Sequence, residues 1–188
     1  MITSTNKITI IDNFLPTKHF SSLQNLLLSP RFSWSYSCSK VQTENDNLAN
    51  YQMAHVFKDA DYEDNASPHA DQLNIFLSQL NMQAIFRIKA NLEGYRTSEP
   101  YYSNFHVDCS DEQVYVLTID GHKHKKVKDM TTGIYYVNTC NGYTEFEDGT
   151  IVNSVGNRFV SFPASTKHRG VSQTDTKARV VINFNYWT

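Results

Sequence analysis

Cysteine is scarce: Cys38, Cys109 and Cys140 are the only three in 188 residues, and they are widely scattered. That excludes a disulfide framework and points to a reducing compartment, the cytoplasm being the simplest. No apolar run approaches the roughly 20 residues that a membrane-spanning helix needs, and the start, Met1 to Lys7, is polar where a signal peptide would be apolar. Charge of one sign is lacking as well. Seventeen basic side chains against nineteen acidic ones leave a net charge of -2, so there is no global attraction to nucleic acid or to an anionic membrane. Internal repeats and low-complexity linkers are also missing, and the length suits one domain with a substantial core.

What the chain has in quantity is aromatic residues: 11 Tyr, 11 Phe and 2 Trp, several in alternating runs that favour strands. Residues 7–12 read as a strand. A helix follows from about Pro16, with Phe20, Leu23 and Leu27 at helical spacing. Ser67-Pro68 signals a second helix, with Leu73, Phe76, Leu77 and Leu80 as its apolar stripe. Segments 32–37 and 52–58 are weaker strand candidates. From residue 83 the pattern is one of strands: 83–92, 100–107, 112–119, 132–138, 143–147, 157–162, 168–172 and 178–186, with glycine-containing breaks at 121, 133, 142, 149, 156 and 170. Residues 1–82 then form a support region and 83–188 a strand-rich core. The expected class is mainly β with flanking helices, an α+β arrangement in which two early helices pack outside a jelly-roll-like double sheet.

Inside that core, His106 and Asp108 occupy alternate positions of a strand end and leave the same face of a sheet. His168 follows sixty residues after the aspartate and Arg179 eleven residues after that. Two imidazoles and one carboxylate on one side of a metal leave the other side open, a set that favours non-haem Fe(II). Pro163 stiffens the approach to His168. In the strand 178–186, Val180, Ile182, Phe184 and Tyr186 face one way and Arg179, Val181, Asn183 and Asn185 the other. A cation and two amides on one wall make sense in a polar pocket or in solvent, and the strand alone does not decide between them. In strand 83–92, Ala84, Phe86, Ile88 and Ala90 face one way and Arg87, Lys89 and Asn91 the other.

Six pieces fall in a familiar order: Phe105-His-Val-Asp, residues 132–138 (TGIYYVN), Gly142-Tyr-Thr-Glu-Phe, residues 159–163 (FVSFP), Lys167-His-Arg-Gly and Arg179-Val-Val-Ile-Asn-Phe. By these the chain resembles the 2-oxoglutarate and Fe(II)-dependent oxygenases, in the prolyl-4-hydroxylase-like branch of small bacterial or phage type. The resemblance covers about residues 85–187, and more loosely the opening strand 8–15. It implies a double-stranded β-helix core of jelly-roll or cupin-like kind, with the two helices on its major sheet. It implies His106, Asp108 and His168 as iron ligands, Arg179 as a two-pronged partner of the distal carboxylate of 2-oxoglutarate, and Tyr136 with its hydroxyl on that same carboxylate. Asn91 would touch the other end of the co-substrate, while Tyr102, Tyr143, Asn183 and Asn185 would line the substrate cleft. The reagents implied are Fe(II), 2-oxoglutarate and O2, with ascorbate as an optional reductant. The reaction implied is hydroxylation of a C–H bond with release of succinate and CO2. By branch, the target is an amino-acid residue such as proline in a peptide or protein, with a small molecule as the other substrate class. The cell compartment implied is the bacterial cytoplasm, or the host's for a phage-encoded chain.

Three departures stand out. The usual Gly-Gly is Gly142-Tyr143, the interval 111–130 is long enough for an added hairpin or lid, and Arg179 stands where collagen-type prolyl hydroxylases use lysine. His122-x-His124 lies in a basic run, 122–128, without the downstream glutamate of a cupin metal site, and reads as a solvated loop. Two rival readings remain open. A base demethylase of the same superfamily would carry a second arginine six residues after Arg179, where this chain has Asn185. A non-catalytic jelly-roll binding module would leave the three candidate ligands apart.

Overall fold

The computed structural model describes residues 8–38, 48, 50–60, 67–109, 116–117, 123–124 and 129–188. Strand β1 (Thr9–Ile11) leads to helix α1 (Thr17–Leu27), and then come β2 (Ser35–Ser37) and β3 (Gln52–Asp59). A short 3-10 turn (Ala70–Leu73) runs into α2 (Asn74–Gln79), followed by β4 (Ala84–Gly94). Strands β5 (Val116–Leu117) and β6 (Lys123–His124) pair with each other antiparallel. The remaining strands are β7 (Thr131–Tyr136), β8 (Tyr143–Phe146), β9 (Ile151–Asn153), β10 (Arg158–Pro163), β11 (His168–Val171) and β12 (Ala178–Trp187).

Seven strands form one antiparallel sheet in the order β1-β10-β7-β12-β4-β3-β2, and three form a second in the order β11-β8-β9. Isolated bridges from Tyr102 to Val171 and from His106 to His168 extend the smaller sheet by an irregular edge. The chain is therefore mainly β, with two short helices and a two-sheet core of jelly-roll kind.

The helices cover one face of the large sheet. Leu23 and Leu27 of α1 and Phe76 of α2 pack against Ile88, Tyr135, Phe159, Ile182 and Phe184 of that sheet. Phe14 stacks on Phe159 with ring centroids 4.7 Å apart, and Phe76 meets Phe184 and Tyr135 at 4.8 Å each. Asn157 fastens the opening segment to this layer. Its Oδ1 accepts from the Leu15 backbone N–H at 2.8 Å, and its Nδ2 donates to the Leu15 carbonyl at 2.8 Å. Asn157 sits at φ 66, a left-handed conformation that asparagine tolerates. A second core lies between the sheets, built from Ile134, Tyr136, Phe146, Val152, Val160, Phe162 and Val181.

Several sequence expectations need correction. Pro16 is the residue before α1, at φ -54 and ψ 140, and not inside its first turn. The second helix starts at Ala70 as a 3-10 turn, because the Ser67 hydroxyl accepts the His69 N–H at 3.1 Å and holds a separate turn there. Segment 100–107 makes two bridges only: Pro100 has no N–H to donate, and the Ser103 hydroxyl and N–H both go to the Gly170 carbonyl. Gly133 and Gly170 interrupt nothing and lie within β7 and β11. At Gly133 an added Cβ would lie 2.4 Å from the Phe159 ring, so the strand needs a glycine there for packing. Strand β9 escaped the reading because three residues are too few to show a period. Apart from β5, β6, Asp129 and Met130, the 111–130 insertion lies outside the described residues, as does most of the 122–128 run.

Candidate active site

Where β4 and β12 pair, their inward faces are polar, and a hollow of about 220 Å³ opens against the smaller sheet. Strand β4 gives it Arg87, Lys89, Asn91 and Glu93. Strand β12 gives it Arg179, Val181 and Asn183. The alternation read from the sequence thus resolves to a pocket wall, and Val180, Ile182, Phe184 and Tyr186 are buried on the other face under the helices. His106, Asp108, Ser103, His168 and Gly170 close the hollow from the smaller sheet.

His106, Asp108 and His168 come together, with one donor atom from each inside a 4.8 Å group. His106 Nε2 lies 3.7 Å, and His168 Nε2 3.9 Å, from the same oxygen, Asp108 Oδ1. The other ring nitrogens face backbone carbonyls: His168 Nδ1 is 3.0 Å from Thr166 O, and His106 Nδ1 is 3.2 Å from Asn104 O. A proton on each Nδ1 satisfies those carbonyls and leaves both Nε2 lone pairs directed at the shared point. The outer oxygen of Asp108 is also fixed. Thr132 Oγ1 donates to Oδ2 at 2.8 Å and Asn185 Nδ2 donates at 3.0 Å.

This donor set fits a divalent ion. Two imidazole nitrogens and one carboxylate oxygen, all within 4.8 Å of one another, are a donor set suited to a first-row divalent metal. Burial by itself would raise the Asp108 carboxyl. The His168 and His106 rings and the hydrogen bonds from Asn185 and Thr132 outweigh it and hold the group below the usual carboxylate range. The carboxylate is ionised and ready to ligate.

Arg179 stands at the far end of the wall and is 3% exposed. Its Nε donates to Ser154 Oγ at 2.8 Å, and its Nη1 lies 3.5 Å from Glu93 Oε1. Its stem is confined, because a Cβ on Gly142 would lie 2.8 Å from Arg179 Cδ. Glu93, directly opposite Arg179 in the sheet, was absent from the sequence reading. Its parity with Arg87, Lys89 and Asn91 is the available signal, and a strand read as 83–92 stops one residue short of it.

The remaining predicted positions divide. Asn91 and Asn183 line the hollow, each with a buried Oδ1 that accepts no hydrogen bond from any described residue. Asn185 is not a lining residue: its amide is locked, with Oδ1 3.4 Å from Arg87 Nη2 and Nδ2 on Asp108 and on Thr132 Oγ1. Tyr136 lies in the apolar layer between the sheets. Its hydroxyl donates to Thr144 Oγ1 at 2.8 Å, and its ring centroid is 5.7 Å from the Arg179 guanidinium carbon. Burial raises the Tyr136 hydroxyl, against the pull of Arg179 and Thr144. Tyr102 and Tyr143 do not line the hollow. On β8 Tyr143 alternates with the pocket residue Thr144, and on β11 Arg169, whose guanidinium stacks over Tyr102 at 4.9 Å, alternates with His168. Both tyrosines therefore lie on the outer side of the smaller sheet.

No family model and no curated protein matches the sequence. Solved structures do match. A prolyl-4-hydroxylase from Pseudomonas putida superposes with TM-score 0.61 at 12% identity, over 98% of this chain and 94% of that one. The Trichoplax adhaerens prolyl hydroxylase, solved with a hypoxia inducible factor peptide, gives 0.57 at 14% over 97% and 84%. The non-haem α-ketoglutarate-dependent epimerase of nogalamycin biosynthesis, solved with Fe3+, α-ketoglutarate and a nogalamycin compound, gives 0.59 at 11% over 96% and 78%. At these identities the shared property is the fold, that of the 2-oxoglutarate/Fe(II) oxygenases, prolyl hydroxylases included. A His-Asp-His group accompanies that fold in this chain.

Proposed function

We propose that this chain is an Fe(II)- and 2-oxoglutarate-dependent oxygenase that hydroxylates a C–H bond. We place its target in an amino-acid residue of a peptide or protein, with proline first among the residues to try. One observation carries the reading: two Nε2 atoms converge on one oxygen of a carboxylate whose other oxygen is hydrogen-bonded twice, in a hollow that ends on a buried guanidinium. The peptide-bound prolyl hydroxylase among the structural neighbours supports the substrate class. We assign residues 83–188 to a double-stranded β-helix core, a reading supported by the seven strands β4 and β7 to β12 and the irregular edge at 102–106.

His106, Asp108 and His168 would hold the metal, and the fixed rings and the two hydrogen bonds donated to Asp108 Oδ2 keep their geometry set before it arrives. When bound, the iron supplies the redox chemistry that couples decarboxylation of 2-oxoglutarate to substrate oxidation. Arg179 would orient the co-substrate by its distal carboxylate, with Ser154 and Glu93 restraining the guanidinium. Thr144 would act beside it, itself oriented by Tyr136. The cleft of β4 and β12 would exclude bulk water and present the target carbon.

Succinate formation by anaerobically loaded enzyme, on addition of O2 and 2-oxoglutarate, tests the chemistry. His106→Ala and Asp108→Ala should abolish it. Equal rates in wild type and variants, or no succinate from a chain shown to hold the metal, would overturn the reading. A melting temperature unmoved by metal plus N-oxalylglycine would favour a binding module instead. Mass spectrometry of peptides after turnover, searched for a gain of one oxygen, tests the substrate.

A further inference from the structure

The charges in the hollow do not balance once the reagents proposed above are counted. Among the described lining residues Arg87, Lys89 and Arg179 are cations, and Glu93 and Asp108 are anions. A divalent ion and a doubly deprotonated keto acid add equal and opposite charge, so one positive unit is left over. Its place can be read from the partners. Arg179 has Glu93 within 3.5 Å, and Asp108 belongs to the two imidazoles. Lys89 makes no hydrogen bond or ion pair with any described residue, is partly buried and lines the hollow. Arg87 has one long contact, 3.4 Å to Asn185 Oδ1, and its Nε is buried without a partner.

The two cations lie two residues apart on β4, so both face the same wall. Their cross-strand neighbours on β12 are Asn185 and Asn183, which are neutral. Asp59, opposite Arg87 on β3, is not a lining residue. Burial and the adjacent Arg87 together push the Lys89 ammonium below the ordinary lysine range, against the weaker pull of Asp108 and Asp59. Two crowded, underused cations beside a metal centre lower their energy by taking an oxyanion between them. The keto acid has its own two partners, Arg179 for one carboxylate and the metal for the other. Lys89 pairs with Asn183, four residues along β12 from Arg179, a separation of about 13 Å.

We propose that Lys89 and Arg87 form an oxyanion subsite beside the metal, and that the substrate carries a carboxylate or phosphate that docks there and fixes which C–H bond faces the iron. This rests on the oxygenase reading and narrows its substrate to anionic molecules, including peptides with an acidic side chain or a free C-terminus next to the target.

The test uses Mn(II)-loaded protein saturated with N-oxalylglycine, in which the metal broadens the NMR lines of any ligand held near it. N-acetylglycine, its carboxamide and methyl phosphate are titrated in turn. The acid should broaden saturably at a concentration at least tenfold below the amide, and Lys89→Met and Arg87→Met should each weaken it about tenfold without changing N-oxalylglycine affinity. Methyl phosphate binding more tightly than the acid would identify a phosphate ester, and the reverse a carboxylate. Equal behaviour of acid and amide, or an unchanged acid affinity in Lys89→Met, would overturn the subsite. Variants that lose N-oxalylglycine and not the acid would overturn it too, since both cations would then serve the co-substrate. Mn(II) uptake is read first, from loss of the free ion's EPR signal. Failure there sinks the oxygenase reading alone, and the same titrations followed by saturation transfer on the metal-free protein still decide the subsite.

Discussion

Replacing Asn185 by leucine should weaken metal binding about tenfold while leaving every metal ligand in place. Asn185 is 1% exposed and nearly isosteric with leucine, so the change removes hydrogen bonds more than volume. One amide proton goes to Asp108 Oδ2 at 3.0 Å and the other to Thr132 Oγ1 at 3.1 Å. A hydrogen bond to a charged group is worth about 1.5–3 kcal/mol. Asp108 Oδ2 keeps its bond from Thr132 at 2.8 Å, so the lower figure applies, and about 1.4 kcal/mol corresponds to tenfold in affinity. Asn185→Asp should be worse, because it places an acceptor where the carboxylate needs a donor. In Asn185→Leu/Thr132→Val the outer oxygen has neither donor, so the loss should exceed the sum of the single losses. Anaerobic titration with Mn(II), followed by EPR, measures each affinity, and thermal melts verify folding. A folded Asn185→Leu protein within twofold of wild type would refute the reasoning, since Asp108 would then owe its orientation to something else.

Arg179→Met should lower stability by about 3–5 kcal/mol, because Glu93 loses its buried guanidinium; adding Glu93→Leu should restore the melting temperature but not N-oxalylglycine binding. Stability restored together with binding would show Arg179 to be structural. Gly142→Ala should raise the KM for 2-oxoglutarate more than it lowers kcat, since the new methyl would meet Arg179 Cδ at 2.8 Å and displace the guanidinium; an unchanged KM would show that Arg179 tolerates the shift. Lys89→Met should raise the melting temperature of the metal-free protein at pH 7, by about 2–4 °C if about 1 kcal/mol of burial cost is relieved. The sign follows from its lowered pKa: between the folded value and the unfolded 10.5 the unfolded chain binds more protons, so wild-type stability gains from rising pH there. The variant should lack that gain, and a lower melting temperature would contradict it.

The His106-x-Asp108 pair and the two faces of β12 were legible because each rests on local alternation, whereas His168, on β11, joined them only through the resemblance. His106 with Asp108, and Arg179 with Asn183 and Asn185, need no knowledge of what lies opposite. The partners of those residues were not legible. Nothing in residues 131–136 marks Thr132 as the donor to Asp108, and that contact exists only because β7 pairs with β12 in the register Thr132 to Asn185. Glu93 likewise acquires meaning from the register that sets it against Arg179. The face taken by Tyr102 and Tyr143 is hidden from the sequence by the same limit. A position in a strand gives the alternation, but which side is inward depends on the sheet it joins.

The apolar face of β12 explains why its other face can be so polar. Between β7 and β10 the large sheet is apolar on both sides, with Tyr135 and Phe159 toward the helices and Ile134 and Val160 toward the smaller sheet. At β4 and β12 the outward face carries most of the packing: Ile88 and Ala90 on one strand, Val180, Ile182 and Phe184 on the other, closed by Phe76 and Leu27, while Val181 joins the inter-sheet core from the inward side. With most of the packing on that side, the inward face is left to carry Arg87, Lys89, Glu93 and Arg179. A buried cluster of that kind opposes folding until its ligands arrive, so the helices supply what the site withholds. The Asn157 clamp on Leu15 and the Phe14 stack on Phe159 fasten the opening segment to that same packed face, on the side of the sheet away from the hollow.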